Sequence, residues 1–209
     1  MTAPALPSDL PRRTTGTRVR SGNAMSRTRA AVLDAAAHCV ERYGVKRTTM
    51  GDIALKAAVA KATLYNHFRT KDDVLAALVA SRAAALAEHC RAAAAGEPLP
   101  ADGVGAVPVG AGLAAALEVA SAGLASDGPL RRLVSDDPGL AAALAAPGEG
   151  RGWEQVRAAV RDVLAAAGAP ADDDAVALVL RWLLSQVLWP ASPQEARAGA
   201  ARLASALGG

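Results

Sequence analysis

The sequence predicts an all-α fold in two parts: a small three-helix domain containing a helix-turn-helix, followed by a larger helical body. Three observations carry that expectation. Alanine supplies 54 of the 209 residues, and β-branched and aromatic residues are few outside short runs, a balance that favours helix over strand. The segment TTMGDIALKAAVAKATLYNHFRTK, Thr48 to Lys71, sets two short helical patterns on either side of a three-residue turn. The charge is also polarised. Residues 12–71 hold thirteen Lys/Arg against three acids, and residues 72–209 hold ten Arg against sixteen acids, so the net charge of +3 conceals a basic front and an acidic back. Such an asymmetry predicts that only the front half meets a polyanion.

Taken in order, residues 1–25 are rich in Pro, Thr, Ser, Gly and Arg without hydrophobic periodicity, and read as a disordered basic arm. Its Arg12, Arg13, Arg18 and Arg20 either track a phosphate backbone or enter a minor groove, or belong to an extension with no role. A first helix is expected from about Ser26 to Tyr43, where Val32, Leu33, Ala36, Val40 and Tyr43 recur at helical spacing and Gly44 ends the run. Thr49 with Asp52 three residues on makes a capping-box start for the second helix, which runs to about Ala57 with Ile53 and Ala54 inward. Ala58, Val59 and Ala60 form the turn, with Val59 as its buried plug. The third helix spans Lys61 to Phe68. Leu64 and Phe68, four apart, face inward and leave Lys61, Ala62, Thr63, Tyr65 and Asn66 pointing elsewhere. A helix whose outer face is small, polar and cationic can enter a major groove.

Lys71-Asp-Asp-Val opens a long fourth helix with two acids in its first turn, favourable for the dipole. Leu75, Leu78, Val79, Leu86 and Cys90 share one face, and the helix ends near Ala95. The run from Gly96 to Gly112, GEPLPADGVGAVPVGAG, is a Gly/Pro-rich break. Beyond it, helices are expected at about 113–125, 128–135, 138–146, 151–167, 172–189 and 193–207, giving about nine to ten in all. The segments therefore divide as an arm at 1–25, a helix-turn-helix domain at 26–71 and a helical domain at 72–209. In the helix at 172–189, Val176, Val179, Leu180, Leu183, Leu184, Val187 and Leu188 cover more than one face, which requires burial in the chain's own core or against a second subunit.

Composition also narrows the function classes. Cys39 and Cys90 lack CxxC or metal-ligand spacing and read as buried free thiols in a reducing cytoplasm. No apolar run approaches the ~18–20 residues of a membrane span, and no h-region of a signal peptide is visible, so a cytoplasmic protein is expected. A helical enzyme finds no support. The chain has no metal constellation, Gly-rich phosphate loop, Ser/His/Asp set or paired carboxylates. No metal or cofactor is expected.

From Arg27 to Val79 the chain closely resembles the TetR/AcrR family of one-component transcription regulators. The residues that carry the resemblance are AAVLDAAAHCVERYG, RTTMGDIA and TLYNHFRTKDDVL, about a quarter of the chain. The resemblance implies a homodimer on a palindromic double-stranded DNA operator, usually a repressor, released by a small-molecule effector bound in the carboxy-terminal domain. An activator of the same architecture and a non-specific helical DNA-binding protein are the alternatives. Carried onto this chain, Thr48 and Thr49 contact phosphate at the start of the second helix. Ala60, Lys61, Ala62, Thr63 and Asn66 belong to the turn and recognition helix. Tyr65 and His67, counted among the DNA-binding residues, touch the backbone or buttress the domain, and Lys71 meets phosphate. Elementary chemistry suits these roles: helix N-termini present N–H groups to phosphate, Lys61 reaches a guanine edge or phosphate, and Asn66 pairs with adenine. Thr49 is also a cap, and the two roles are compatible.

The chain departs from the family pattern at Ala58, Ala60 and Ala62, where Gly, Ser and Gly are common. An alanine in a turn that prefers positive φ costs on the order of 1 kcal/mol. The effector site is expected among helices four to eight, with Arg82 and His89 on the inner stripe of helix four orienting a ligand in an otherwise apolar cavity. The effector is unidentified, with a slight preference for an apolar one. The dimer interface is expected on the terminal helices, at Val176, Val179, Leu180, Leu183, Leu184 and Val187, with Trp182 and Trp189.

Overall fold

The computed structural model describes residues 17–97, 112–136 and 151–208, with side chains from Ala24 and, in the last segment, from Trp153. Among these residues lie nine helices: α1 (Thr17–Tyr43), α2 (Met50–Lys56), α3 (Lys61–His67), α4 (Lys71–Ala95), α5 (Leu113–Ser126), α6 (Gly128–Asp136), α7 (Arg151–Ala166), α8 (Asp173–Leu188) and α9 (Pro193–Leu207). No strand occurs among them. The helix expected at 138–146 and residues 1–16 of the arm lie outside the described residues.

One boundary differs from the sequence expectation. Residues 17–25 belong to α1 rather than to a disordered arm. No proline stands between Pro11 and Ser26, and a helix already nucleated downstream propagates through Thr, Arg and Val at small cost per residue.

Helices α1, α2 and α3 close over an apolar core in which Val32, Ala36, Ile53 and Leu64 are fully buried and Phe68 nearly so. Truncating Ile53 to alanine would remove about 2–5 kcal/mol. Side-chain caps fix where several helices begin. Thr49 with Asp52, Thr70 with Asp73 and Ser192 with Glu195 form complete capping boxes, and Asp172 caps α8 by accepting from the Ala175 N–H. Gly44 follows α1 at φ +79, a left-handed position that a Cβ strains.

Helix α4 leaves the small domain and becomes a wall of the body, packing on α5 and α7, while α9 packs on α5. Gly123 permits the close approach of α4 and α5, because a Cβ there would collide with Leu86. The body's core joins Leu113 and Leu117 of α5, Leu164 of α7, Val176 and Val179 of α8 and Ala200 of α9. Helix α6 is the wedge between the two parts: its fully buried Leu133 meets Val40 and Val45, with Leu75 and Val79 of α4 packed alongside.

Candidate functional site

Two surfaces stand out, one on the small domain and one inside the body. On the first, the i,i+4 pair Leu64 and Phe68 anchors α3 inward, and Lys61, Ala62, Tyr65 and Asn66 are exposed on its outer side, Tyr65 by 51%. Thr63 and His67 are half-buried, the His67 ring lying 6.4 Å from that of Phe68. Ala60 is the N-cap of α3 and makes no side-chain cap bond, while Ala58 sits at φ +53. The turn therefore carries the alanine strain that its sequence implied.

Thr49 is exposed. Its hydroxyl donates to Asp52 Oδ2 at 2.6 Å and accepts from the Asp52 N–H at 3.2 Å. The Thr49 hydroxyl and the Thr49 N–H, which also donates to Asp52 Oδ2 at 3.0 Å, hold the Asp52 carboxyl below its usual range, with Lys61 nearby adding to the effect. Thr48 requires a correction. It is only 1% exposed, and its hydroxyl donates to the Gly44 carbonyl at 2.8 Å. Its side chain closes the α1–α2 loop and offers phosphate nothing, because the residue before an N-cap turns toward the core while the cap itself faces out. Lys71 is half-buried, and its ammonium donates to the Val45 carbonyl at 3.0 Å, tying the start of α4 to the same loop. An ammonium has three protons, so this bond leaves others for an anion.

Sequence reasoning passed over Lys46, Arg47 and Arg69, which the fold leaves exposed in the segments flanking the motif. The only available signal was the excess of cations over residues 12–71, which does not say which side chains face out.

The second surface is a cavity of about 400 Å³ bounded by α4, α5, α7 and α8 and the start of α6. Its walls are aliphatic, with Trp153 as an aromatic contribution from α7, and both Arg82 and His89 reach it as expected. Arg82 pairs with Asp127 across 3.0 Å, and the other carboxylate oxygen of Asp127 accepts from the Leu130 N–H at 2.8 Å, capping α6. His89 is buried. Its Nδ1 lies 2.7 Å from the Ala85 carbonyl, which can only accept, so Nδ1 carries the proton. Cys90 is buried too, and burial pushes its thiol up to about 12.

The six residues expected at a dimer interface divide into three that are buried in the chain and three that are half-buried. Val176, Val179 and Val187 are buried within the chain at 1%, 3% and 9% exposure. Leu180, Leu183 and Leu184 line the cavity with Val179 and Val187. The three leucines are half-buried, whereas the three valines are covered by the chain's own core. The outward side of α8 instead shows Leu178, Arg181 and then Trp189, with Trp189 exposed by 75%, and α9 shows Ala198, Ala201 and Ser205. Trp182 is half-buried against Gly199.

Helix α6 joins the two surfaces. Asp127, before its first residue, borders the cavity; Asp136, its last, accepts from the Val45 N–H and from Arg132 Nε, both at 3.1 Å. The nine residues between Gly128 and Asp136 span about 13 Å.

A basic helix-turn-helix domain carried on a helical body that holds an apolar cavity defines the class of molecule, and comparison with known proteins agrees. Residues 32–78 match the model of bacterial regulatory proteins, tetR family. The HTH-type transcriptional regulator TtgR of Pseudomonas putida is 41% identical over 54 residues, 26% of this chain and 26% of TtgR. The chain thus spans only 26% to 29% of the length of the curated relatives it matches. Solved structures extend the likeness to the body. The TetR family repressor AlkX of Dietzia sp. strain DQ12-45-1b, implicated in biodegradation of n-alkanes, has a TM-score of 0.63 at 22% identity, covering 86% of this chain and 95% of that one. A TetR transcriptional regulator from Rhodococcus sp. RHA1 has a TM-score of 0.57 at 20% identity, covering 88% and 96%. Residues 32–78 are thus similar to the tetR family of bacterial regulatory proteins, and the described residues share the fold of the solved structures above.

Proposed function

We propose that this protein is a ligand-responsive, dimeric transcriptional regulator, a repressor that holds a palindromic operator until a small molecule enters its cavity. The observation that carries the reading is the outer face of α3, where Lys61, Ala62, Tyr65 and Asn66 are exposed together on a helix pinned from behind by Leu64 and Phe68. Lys61 and Asn66 have the donor sets that read guanine and adenine edges. Thr49, Lys71, Lys46, Arg47 and Arg69 supply the flanking contacts to phosphate, which fix register without reading sequence. Action on chromosomal DNA places the protein in the cytoplasm.

Two copies pair through the outward side of α8 and α9. Leu178 and Trp189 provide apolar area there, and Ala198 and Ala201 permit close approach. The effector acts through α4 and α6, since the same α6 borders the cavity at Asp127 and grips the α1–α2 loop at Asp136. Selection of bound duplexes from a random pool tests the reading. The full chain should enrich a palindrome with half-sites about one helical turn apart, and Asn66→Ala should relax preference at one base of each half-site. Salt-dependent binding with no enriched sequence would overturn it.

A further inference from the structure

We propose that the cavity selects an uncharged, aliphatic ligand, and that the Arg82–Asp127 ion pair is the device that excludes charged molecules of the same shape. The inference rests on the effector-binding reading above and adds the chemical class of the ligand. Along α4, α5, α7 and α8 the described walls are mostly Ala, Val and Leu side chains, joined by Cys90, Gly123 and Ser126, and Trp153 is their one aromatic ring besides His89. Their charged groups are Arg82 and Asp127, which neutralise each other across 3.0 Å. Arg82 keeps N–H donors besides the one it gives Asp127, but its charge is already neutralised, so neither group offers a ligand a net counter-charge without breaking that pair. Asp127 is the more enclosed partner, with its side chain 13% exposed against 39% for Arg82, and its second oxygen is committed to the Leu130 N–H.

A ligand carboxylate entering this space meets the Asp127 carboxylate and a guanidinium already engaged. A ligand ammonium meets the guanidinium and an engaged carboxylate. Either loses its hydration without gaining a free counter-ion, and a charge buried on those terms is expelled. An alcohol, ester or hydrocarbon loses little and gains the apolar contact of the walls. Removing one member of the pair should therefore invert the selection, because it leaves a single charge at the cavity edge in want of a partner.

The test uses the full-length protein and three ten-carbon probes below their aggregation limits: 1-decanol, decanoate and decylammonium, followed by calorimetric titration. The wild type should bind decanol about tenfold or more tightly than either ion. Asp127→Asn, which retains a capping side chain for α6, should gain decanoate by about tenfold and not decylammonium, and Arg82→Gln should gain decylammonium and not decanoate. Wild-type binding of either ion as tight as the alcohol, failure of all three probes to bind, or an unchanged order in both variants would overturn the proposal. A parallel titration against the selected operator separates the two readings. If decanol binds in the expected order but never releases the duplex, the ligand class stands and the effector reading falls.

Discussion

The left-handed alanine in the helix-turn-helix is the most direct handle on the energetics of the motif. Ala58 adopts φ +53, where an L-residue other than glycine pays about 1–2 kcal/mol for the contact of its Cβ with the backbone. The side chain is exposed, so its methyl contributes little packing in return. The turn's own bonds, Ala58 N–H to Leu55 O at 3.1 Å and Val59 N–H to Ala54 O at 3.0 Å, are unaffected by losing a methyl. Glycine relieves the strain and adds about 0.4–1 kcal/mol of freedom to the unfolded chain. Ala58→Gly should therefore stabilise the protein by about 0.5–1 kcal/mol, which in a chain of this size raises Tm by roughly 1–4 °C. The control is the preceding residue. Ala57 has φ −74 and ψ −5, an ordinary right-handed conformation, so Ala57→Gly should cost about 1 kcal/mol. Both variants can be followed by circular dichroism under heat and urea. An Ala58→Gly protein no more stable than wild type, or two variants that shift together, would refute the reasoning.

Thr48→Val should cost about 0.5–1.5 kcal/mol, because it removes the hydroxyl's bond to the Gly44 carbonyl but leaves that carbonyl the Thr48 N–H, and the salt dependence of duplex binding should not change. Lys46→Ala or Arg47→Ala should do the reverse, leaving Tm in place and lowering the salt slope by about one each, as read in mobility shifts over a range of salt. Asp52 and Glu195 are both held below their usual pKa, first by the side-chain hydroxyls of Thr49 and Ser192 and then by those residues' backbone N–H groups. Their stabilising contribution is thus complete above the unfolded carboxylate pKa, about 4, and is lost as pH falls through the depressed folded values. Acid titration should soften this loss in Asp52→Asn. With its thiol at about 12 and buried, Cys90 should resist iodoacetamide at pH 8 until the protein is unfolded, as mass spectrometry can score.

Most helix limits were legible because short-range chemistry writes them. Thr49, Thr70 and Ser192, each with an acid three residues on, begin α2, α4 and α9 at positions that can be read from the residues alone. The orientation of α3 followed equally from Leu64 and Phe68. What the sequence concealed is set by distant partners. Thr48 and Thr49 are alike in type, and only the packing of the α1–α2 loop turns one inward and the other out. The apolar breadth of α8 showed that Val176 to Val187 must be covered, but period alone cannot say whether the same chain or a second copy covers them. The partners of Arg82 and of Val45 lie 45 and 91 residues away, beyond any spacing rule for a single helix.

On the proposed effector reading, those two long-range contacts are the route by which the cavity would reach the basic domain. The Arg82–Asp127 pair is partly exposed, so screening by solvent keeps its contribution to stability near 1 kcal/mol or below. Its value is directional. It fixes the start of α6 against α4, and α6 in turn presents Leu133 to Val40 and Val45 and Asp136 to the Val45 N–H. Helix α6 is held at both ends by weak polar contacts and between them by the buried Pro129, Leu133 and Val134. A ligand shifts the equilibrium between two arrangements only by its difference in affinity for them. A coupling of 1–3 kcal/mol is typical between linked sites, and contacts of this strength at each end of α6 are of the size that such a ligand can overcome.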